Sequence, residues 1–247
     1  MYCLLNILSF NEKISGVETE QVSNVLGKNS VISFQEDPFK DPFNPLREKL
    51  KIPGSKVRQN NVDFLFYSLL DYIVDHYFIV MEKMGEKIEL LEEDIIKNSN
   101  NRGLVKINMI RKEMILLKRS IAPLRELISG ILRRESDLIE ERTEKYFKDV
   151  YDHIIQANDL SNNYRDMMMN LQDLYLSNVN LRMNEVMKVM AVVTCLLAPA
   201  TVIGGIFRMI FDSIPLLHNT WGFFIRVRLV LIIPILIVRS FRKRGWF

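Results

Sequence analysis

One segment of the sequence determines the environment in which this chain can fold. From Val189 to Phe207 the chain runs for 19 residues without a charged side chain. As an α-helix this run would be about 28 Å long, close to the hydrocarbon thickness of a bilayer. A helix buried in a protein core could share this composition, but soluble helices seldom stay uncharged for so long. We therefore predict a transmembrane helix over about residues 189–210.

A second apolar run, from Trp221 to Val238, follows a short loop at residues 212–220. Its hydropathy is marginal because it contains Arg226 and Arg228, although arginine stems near one end of a span can reach the interface. The run closes with four basic residues, which favour a cytoplasmic C-terminus: Arg239, Arg242, Lys243 and Arg244. We predict a transmembrane hairpin over 186–247, with spans at about 189–210 and 221–238 and both chain ends inside.

Charge is distributed unevenly along the chain. Residues 186–247 hold eight basic side chains and one acid, whereas residues 1–185 hold 25 basic and 29 acidic ones. Cys3 and Cys195, the only two cysteines, cannot build a disulfide framework. Residues 1–10 lack the basic and cleavage-site features of a signal peptide. An acidic body in the cytosol, anchored in the cell inner membrane, is the predicted organisation, with no nucleic-acid partner.

Residues 1–60 are expected to form a partial α/β domain. Residues 1–10 look like one strand, and residues 21–26 and 30–36 look like a hairpin whose turn contains Gly27, Lys28 and Asn29. Four prolines then mark a region rich in loops: Pro38, Pro42, Pro45 and Pro53. Three strands would make a thin sheet.

Residues 61–185 have helical periodicity. Apolar residues recur every three or four positions in two series, first Ile73, Tyr77, Val80, Met84, Ile88, Leu91 and Ile95, then Ile107, Ile110, Met114, Leu117, Ile121, Leu124, Ile128 and Ile131. The first series has an acidic opposite face and the second a basic one, so a complementary antiparallel coiled-coil hairpin is expected. A core stripe with a solvated charged face would explain the same pattern.

A third helix begins near residues 142–144 and meets no proline before Pro199. If unbroken to Phe207 it would be about 95 Å long, too long for a domain core. A stalk with an apolar stripe needs identical neighbours, so we expect a homo-oligomer around a shared axis. The predicted fold is mostly α, with a partial α+β cytosolic domain, a long helical stalk and a two-helix transmembrane hairpin.

Several stretches resemble the CorA family of magnesium and cobalt channels. They are NEVMKVM at 184–190, the apolar helix with Pro199, Thr201 and Gly205, Trp221-Gly222 after the outer loop, the RKRGW ending, and VLGKNSVISFQE, DYIVDHYF, KDVYDH and YRDMM upstream. The resemblance implies a homopentamer of funnel-shaped cytosolic domains with long pore helices. It also implies a chain shortened at its N-terminus, because the family's first domain begins well before Met1.

The resemblance assigns roles to named residues. Asn184 and Thr201 would be polar rings in the pore, and Met187 with Met190 an apolar constriction. Asp149, with Asp173 further along the same helix, would bind regulatory magnesium between subunits. Helix packing would explain the methionines equally, a cap or register device would explain Asn184, and a solvated face would explain Asp149.

The sequence departs from the family at the pore mouth. An aromatic-Gly-Met-Asn signature is expected there, and the matching residues are Phe207, Arg208, Met209 and Ile210. Hydrated magnesium is best selected by a ring of amide oxygens, which Ile210 does not offer. Repeated around an oligomer, Arg208 would place a ring of positive charge in the path of cations.

Two functions follow from these observations. The first is a CorA-like divalent cation channel for magnesium, and for cobalt as a second ion, with Mg²⁺ as both transported and regulatory ion and no covalently bound cofactor. The alternative is a transport-inactive family member that acts as a membrane-anchored oligomeric scaffold or regulatory subunit. A decaying gene, which predicts poor folding, is a third reading. No nucleophile–base pair, phosphate-binding loop or Cys/His metal spacing supports an enzyme.

Overall fold

The structure is a computed structural model with two compact units, Met1–Tyr175 and Leu176–Phe247. It describes residues 1–12, 14–37, 41–97, 102–133, 138–208 and 221–243. The unit boundary lies inside one continuous helix. The domain boundaries expected at 60/61 and 185/186 stay predictions.

The first unit begins with a three-stranded antiparallel sheet in the order β1-β2-β3. Its strands are β1 (Tyr2–Asn11), β2 (Gly16–Leu26) and β3 (Val31–Gln35). The predicted second hairpin is confirmed, and the Gly27 N–H donates to the Ser30 carbonyl across its turn, 2.8 Å away. Strand β2 starts five residues earlier than expected because it pairs with the whole of β1, from Tyr2 opposite Val25 to Asn11 opposite Gly16.

One face of the sheet contributes to the hydrophobic core. Cys3, Leu5 and Ile7 alternate along β1 as buried residues, and Val22 and Leu26 join them from β2. This alternation follows from the two-residue period of a strand. Strand β1 contacts both long helices of the unit, so the sheet forms a layer on a helical layer.

Two short helices, α1 (Asn44–Lys51) and α2 (Lys56–Gln59), lead to the long helices α3 (Val62–Lys97) and α4 (Arg102–Arg133). All fifteen residues of the two predicted apolar series are buried. The two stripes therefore pack in the core, as their periodicity predicts.

Ion pairs between α3 and α4 confirm that these helices are antiparallel. Lys106 lies 2.6 Å from Asp94, and Lys87 lies 3.0 Å from Glu113. The second pair reverses the expected charge order, since its lysine is on α3 and its acid on α4. Lys87 and Glu113 are also the less exposed pair, with 19% and 14% of their side-chain surface accessible.

Tyr77 connects three elements of the first unit. Its ring is fully buried, and its hydroxyl donates to the Asn6 carbonyl of β1 at 2.6 Å and lies 3.3 Å from the Ser120 carbonyl of α4. Burial raises the pKa of the Tyr77 hydroxyl, which therefore stays protonated and able to donate at neutral pH.

The two remaining helices are α5 (Glu141–Arg208) and α6 (Gly222–Lys243). Helix α5 begins where the third predicted helix was expected to begin, and its first part packs into the first unit through Phe147, Val150 and Ile154. Tyr146 also meets Phe64 of α3 edge-on, with ring centroids 5.2 Å apart.

Helices α3 and α5 are long and apolar enough to cross a membrane by length and composition alone. Their burial separates them. The apolar window of α3 is 56% buried, as expected of a core helix, whereas that of α5 is 6% buried. In α6, large apolar side chains are exposed in the same way: Phe224, Ile225, Leu229, Leu231, Ile232, Ile235 and Leu236. Exposed apolar surface on this scale needs a nonaqueous environment or partner chains.

Replacing Tyr77 with phenylalanine should destabilise the first unit. The substitution leaves the Asn6 carbonyl without its buried donor, which costs about 1–3 kcal/mol. For a chain of this size the apparent unfolding temperature should fall by about 2–4 °C per kcal/mol. Thermal unfolding of the purified full-length protein measures this shift. Tyr2→Phe is the matched control, because the Tyr2 side chain is exposed; equal shifts in the two variants would contradict this role for Tyr77.

Candidate functional site

The predicted pore residues lie on one side of α5. Asn184, Met187 and Met190 are all exposed, as is Thr201 two spans of helix further on. At about 100° per residue, the four positions fall within an arc of about 120°. Helix α5 thus presents one amide, two thioethers and one hydroxyl along a single strip of its surface.

Hydroxyl groups on the apolar part of α5 are satisfied inside the helix. The Thr201 Oγ1 donates to the Leu197 carbonyl at 2.7 Å, and the Thr194 Oγ1 donates to the Met190 carbonyl at 2.9 Å. These bonds to the preceding turn let a hydroxyl lie in an apolar segment, and they leave its oxygen lone pairs available to a ligand.

The predicted signature residues mark the end of α5. Phe207 and Arg208 are its last two residues. Met209 and Ile210 lie outside the residues that the structure describes.

The two predicted regulatory acids lie far apart. Asp149 and Asp173 are both exposed on α5. They are separated by 24 positions, or about 36 Å along the helix axis. One ion cannot touch both side chains of the same chain, so they belong to two different places on the stalk.

Around Asp149 the structure brings together acids that the sequence analysis did not select. Tyr67 of α3 hydrogen-bonds to Asp71, and burial with the charges of Asp71, Asp149 and Asp75 raises the pKa of the Tyr67 hydroxyl. Helices α3 and α5 therefore converge on one acidic patch. Its sequence signal is the pair Asp71 and Asp75, one helical turn apart in the DYIVD stretch.

Asp71 is the most perturbed acid of this patch. Burial and the negative charge of Asp75 raise the pKa of its carboxyl group, while the Tyr67 hydrogen bond and the charges of His153 and Lys49 act in the opposite direction. The net direction is upward, so the ionised carboxylate is unfavourably placed. A divalent cation would relieve this repulsion, and carboxylate oxygens are suitable ligands for Mg²⁺.

A single chain offers an incomplete metal site. Among the described residues, no three His, Cys, Asp or Glu side chains come close enough to hold an ion together. Ligands from water or from a second chain would have to complete the coordination. The thiol of Cys3 offers no alternative chemistry, because burial raises its pKa to about 11 and keeps it protonated.

Comparison with known protein families gives one match over nearly the whole chain. The family described as CorA-like Mg2+ transporter protein matches residues 1–243. The cobalt/magnesium transport protein CorA of Thermotoga maritima is 35% identical over 246 residues, which cover all of this chain and 70% of that protein. The putative metal ion transporter YfjQ of Bacillus subtilis is 28% identical over 233 residues, covering 94% of this chain and 72% of that protein.

Solved structures match the fold as well. The complete CorA magnesium transporter from Methanocaldococcus jannaschii superposes with a TM-score of 0.86 at 24% sequence identity, covering all of this chain and 77% of that one. The full-length CmaX protein superposes with a TM-score of 0.74 at 18% identity, covering 98% and 74%. The fold is thus a soluble domain followed by two membrane helices, α6 and the apolar part of α5. Together with the family match, this shows that the chain belongs to the CorA-like Mg2+ transporter family.

Proposed function

We propose that this chain forms a CorA-like divalent cation channel or transporter for Mg²⁺, with Co²⁺ as a second ion. One observation carries the proposal. Asn184, Met187, Met190 and Thr201 form an exposed strip on the helix that becomes the first membrane span. Relatives named as cobalt/magnesium transport proteins support the choice of ions.

The strip suits the passage of a hydrated ion. The amide oxygen of Asn184 can hydrogen-bond to water bound to Mg²⁺, which sheds its water reluctantly. Met187 and Met190 follow within two turns, and a ring of such thioethers can close a pore by excluding water. The membrane potential would drive cations through it.

An oligomer is needed to turn one strip into a path. Copies of α5 arranged around an axis would surround a pore with these residues, and the family resemblance implies five copies. We place the protein in the cell inner membrane as a two-span protein. The C-terminal residues Arg239, Arg242 and Lys243 favour a cytoplasmic C-terminus, and the acidic first unit keeps the N-terminus on the same side. The proposed domains remain 1–60, 61–185 and 186–247.

Regulation is proposed at Asp149 and Asp173. Both carboxylates are exposed and therefore accessible to a neighbouring subunit. Magnesium bound between subunits at these positions would hold them together when the ion is abundant. Asp71 and Asp75 add negative charge beside Asp149 and would strengthen binding there.

The altered signature motivates the alternative. Arg208 and Ile210 stand where glycine and asparagine are expected. A ring of arginines at the mouth would repel cations, which is the reason to consider a transport-inactive scaffold or regulatory subunit.

Magnesium uptake in a transporter-deficient bacterial strain tests the proposal. We expect the unmodified chain to restore uptake, and the double variant Arg208→Gly with Ile210→Asn to restore it further, because that variant removes a positive charge and adds an amide oxygen. Asn184→Leu should reduce uptake, whereas Glu185→Gln, about half a turn from the strip, should not.

Two results would contradict the proposal. Uptake by the restored variant alone would favour the transport-inactive alternative. Absence of uptake by both chains, at matched amounts in the membrane, would reject a channel.

Asp71→Asn tests the acidic patch. Because the pKa of Asp71 is raised in the folded protein, its ionised form opposes folding at neutral pH, and this effect is lost as pH falls through the folded pKa. The variant should therefore unfold at a higher temperature than the unmodified chain at pH 7, with the difference disappearing in acid. Added Mg²⁺ should raise the unfolding temperature of the unmodified chain more than that of the variant.

Asp159→Asn is the matched control for this measurement, since Asp159 is an exposed acid on α5. It should leave the unfolding temperature unchanged at both pH values. A lower unfolding temperature of Asp71→Asn at pH 7 would contradict the assignment of Asp71 as an unfavourably placed carboxylate.

A further inference from the structure

Helices α4 and α5 leave an open apolar groove between them in the first unit. Its volume is about 300 Å³, and its floor is formed by Met114 and Ile115 of α4 and by Met168 and Met169 of α5. Met114 and Met168 are buried, whereas Ile115 and Met169 are each 47% exposed. Methionine adapts its shape readily, which suits such a floor to receiving an apolar side chain.

Two cations bracket this floor. Arg111 and Lys118 lie seven residues apart on α4, about 10.5 Å along its axis. Each reaches across to a neutral amide of α5: Arg111 donates to Gln172 Oε1 at 2.7 Å and Lys118 to Asn162 Oδ1 at 3.1 Å. In the described part of the chain neither forms an ion pair, whereas the third cation of the groove, Arg165, lies 3.1 Å from Asp166.

A surface with the complementary pattern is present on α3. Glu86 and Glu93 are also seven residues apart, and they bracket Leu90, which is 68% exposed. Positions i, i+4 and i+7 share one helix face. The two glutamates pair with Lys83 and Lys97 of their own helix, but these pairs are exposed and contribute little, so they can be exchanged for intersubunit ones.

We propose that the α4–α5 groove of one copy binds the α3 face of a neighbouring copy, with Leu90 on the methionine floor. This inference rests on the homo-oligomer proposed above and identifies one of its interfaces. The groove and the α3 face are different surfaces of the same chain, so the contact is head-to-tail and repeats around a ring.

Symmetry also sets the order of the charges. Rotation about an axis along the stalk preserves the direction of every helix, and α3 is antiparallel to α4 within one chain. The neighbour's α3 therefore runs antiparallel to α4, which places Glu86 beside Lys118 and Glu93 beside Arg111. The opposite charges fix the register, and the apolar contact between them excludes water.

Cysteine cross-linking of the full-length chain in membranes tests the contact. In a Cys195→Ser background, Leu90→Cys combined with Ile115→Cys should give disulfide-linked species at the dimer mass and above under mild oxidation. The matched control is Ile32→Cys with Ile115→Cys, because Ile32 of β3 is also exposed but belongs to neither surface. The control should stay at the monomer mass.

Charge reversal tests the register. Arg111→Glu with Lys118→Glu should abolish the cross-link, and adding Glu86→Lys with Glu93→Lys should restore it. Native mass is measured on the same samples. An oligomer whose cross-linking does not exceed the control, or does not respond to charge reversal, would overturn this interface while leaving the oligomer intact; a monomer would overturn both.

Discussion

The structure depends on the contrast between the two parts of α5. Near its start, Phe147, Val150 and Ile154 are fully buried against α3 and the core. From residue 176 onward almost every apolar side chain of the helix is exposed, including Leu181, Val186 and Val193. Water does not stabilise a helix with so much uncovered apolar surface, so this part needs lipid, copies of itself, or both. The function proposed here follows from that need, because the exposed strip around Asn184 becomes an ion path only when other copies enclose it.

Much of this architecture follows from periodicity. The two apolar series of α3 and α4, the start of α5 and the hairpin after Gly27 were all predictable, because each depends on local spacing or turn chemistry. Charge was less predictable. The expected rule, acidic α3 against basic α4, holds for Asp94 with Lys106 but is reversed for Lys87 with Glu113. Sequence spacing shows which face carries charge, but not which long side chain reaches which neighbour.

The candidate site shows the same limit. Asn184, Met187, Met190 and Thr201 were identifiable because their positions share one face of one helix. Asp71 and Asp75 were not, since their proximity to Asp149 depends on how α3 packs against α5. The groove that holds Arg111 and Lys118 likewise exists only after α4 and α5 are placed side by side. Features made by two helices need tertiary structure, whereas features made by one helix can be derived from sequence.

The central claim is that the strip on α5 faces a shared axis. Distance measurement between spin labels in the full-length protein, in a Cys195→Ser background, tests this most directly. A label at Asn184→Cys should report a shorter intersubunit distance than a label at Glu185→Cys, because residue 185 lies about half a turn from the centre of the strip. A shorter distance at position 185, or no intersubunit coupling at either position, would contradict the account.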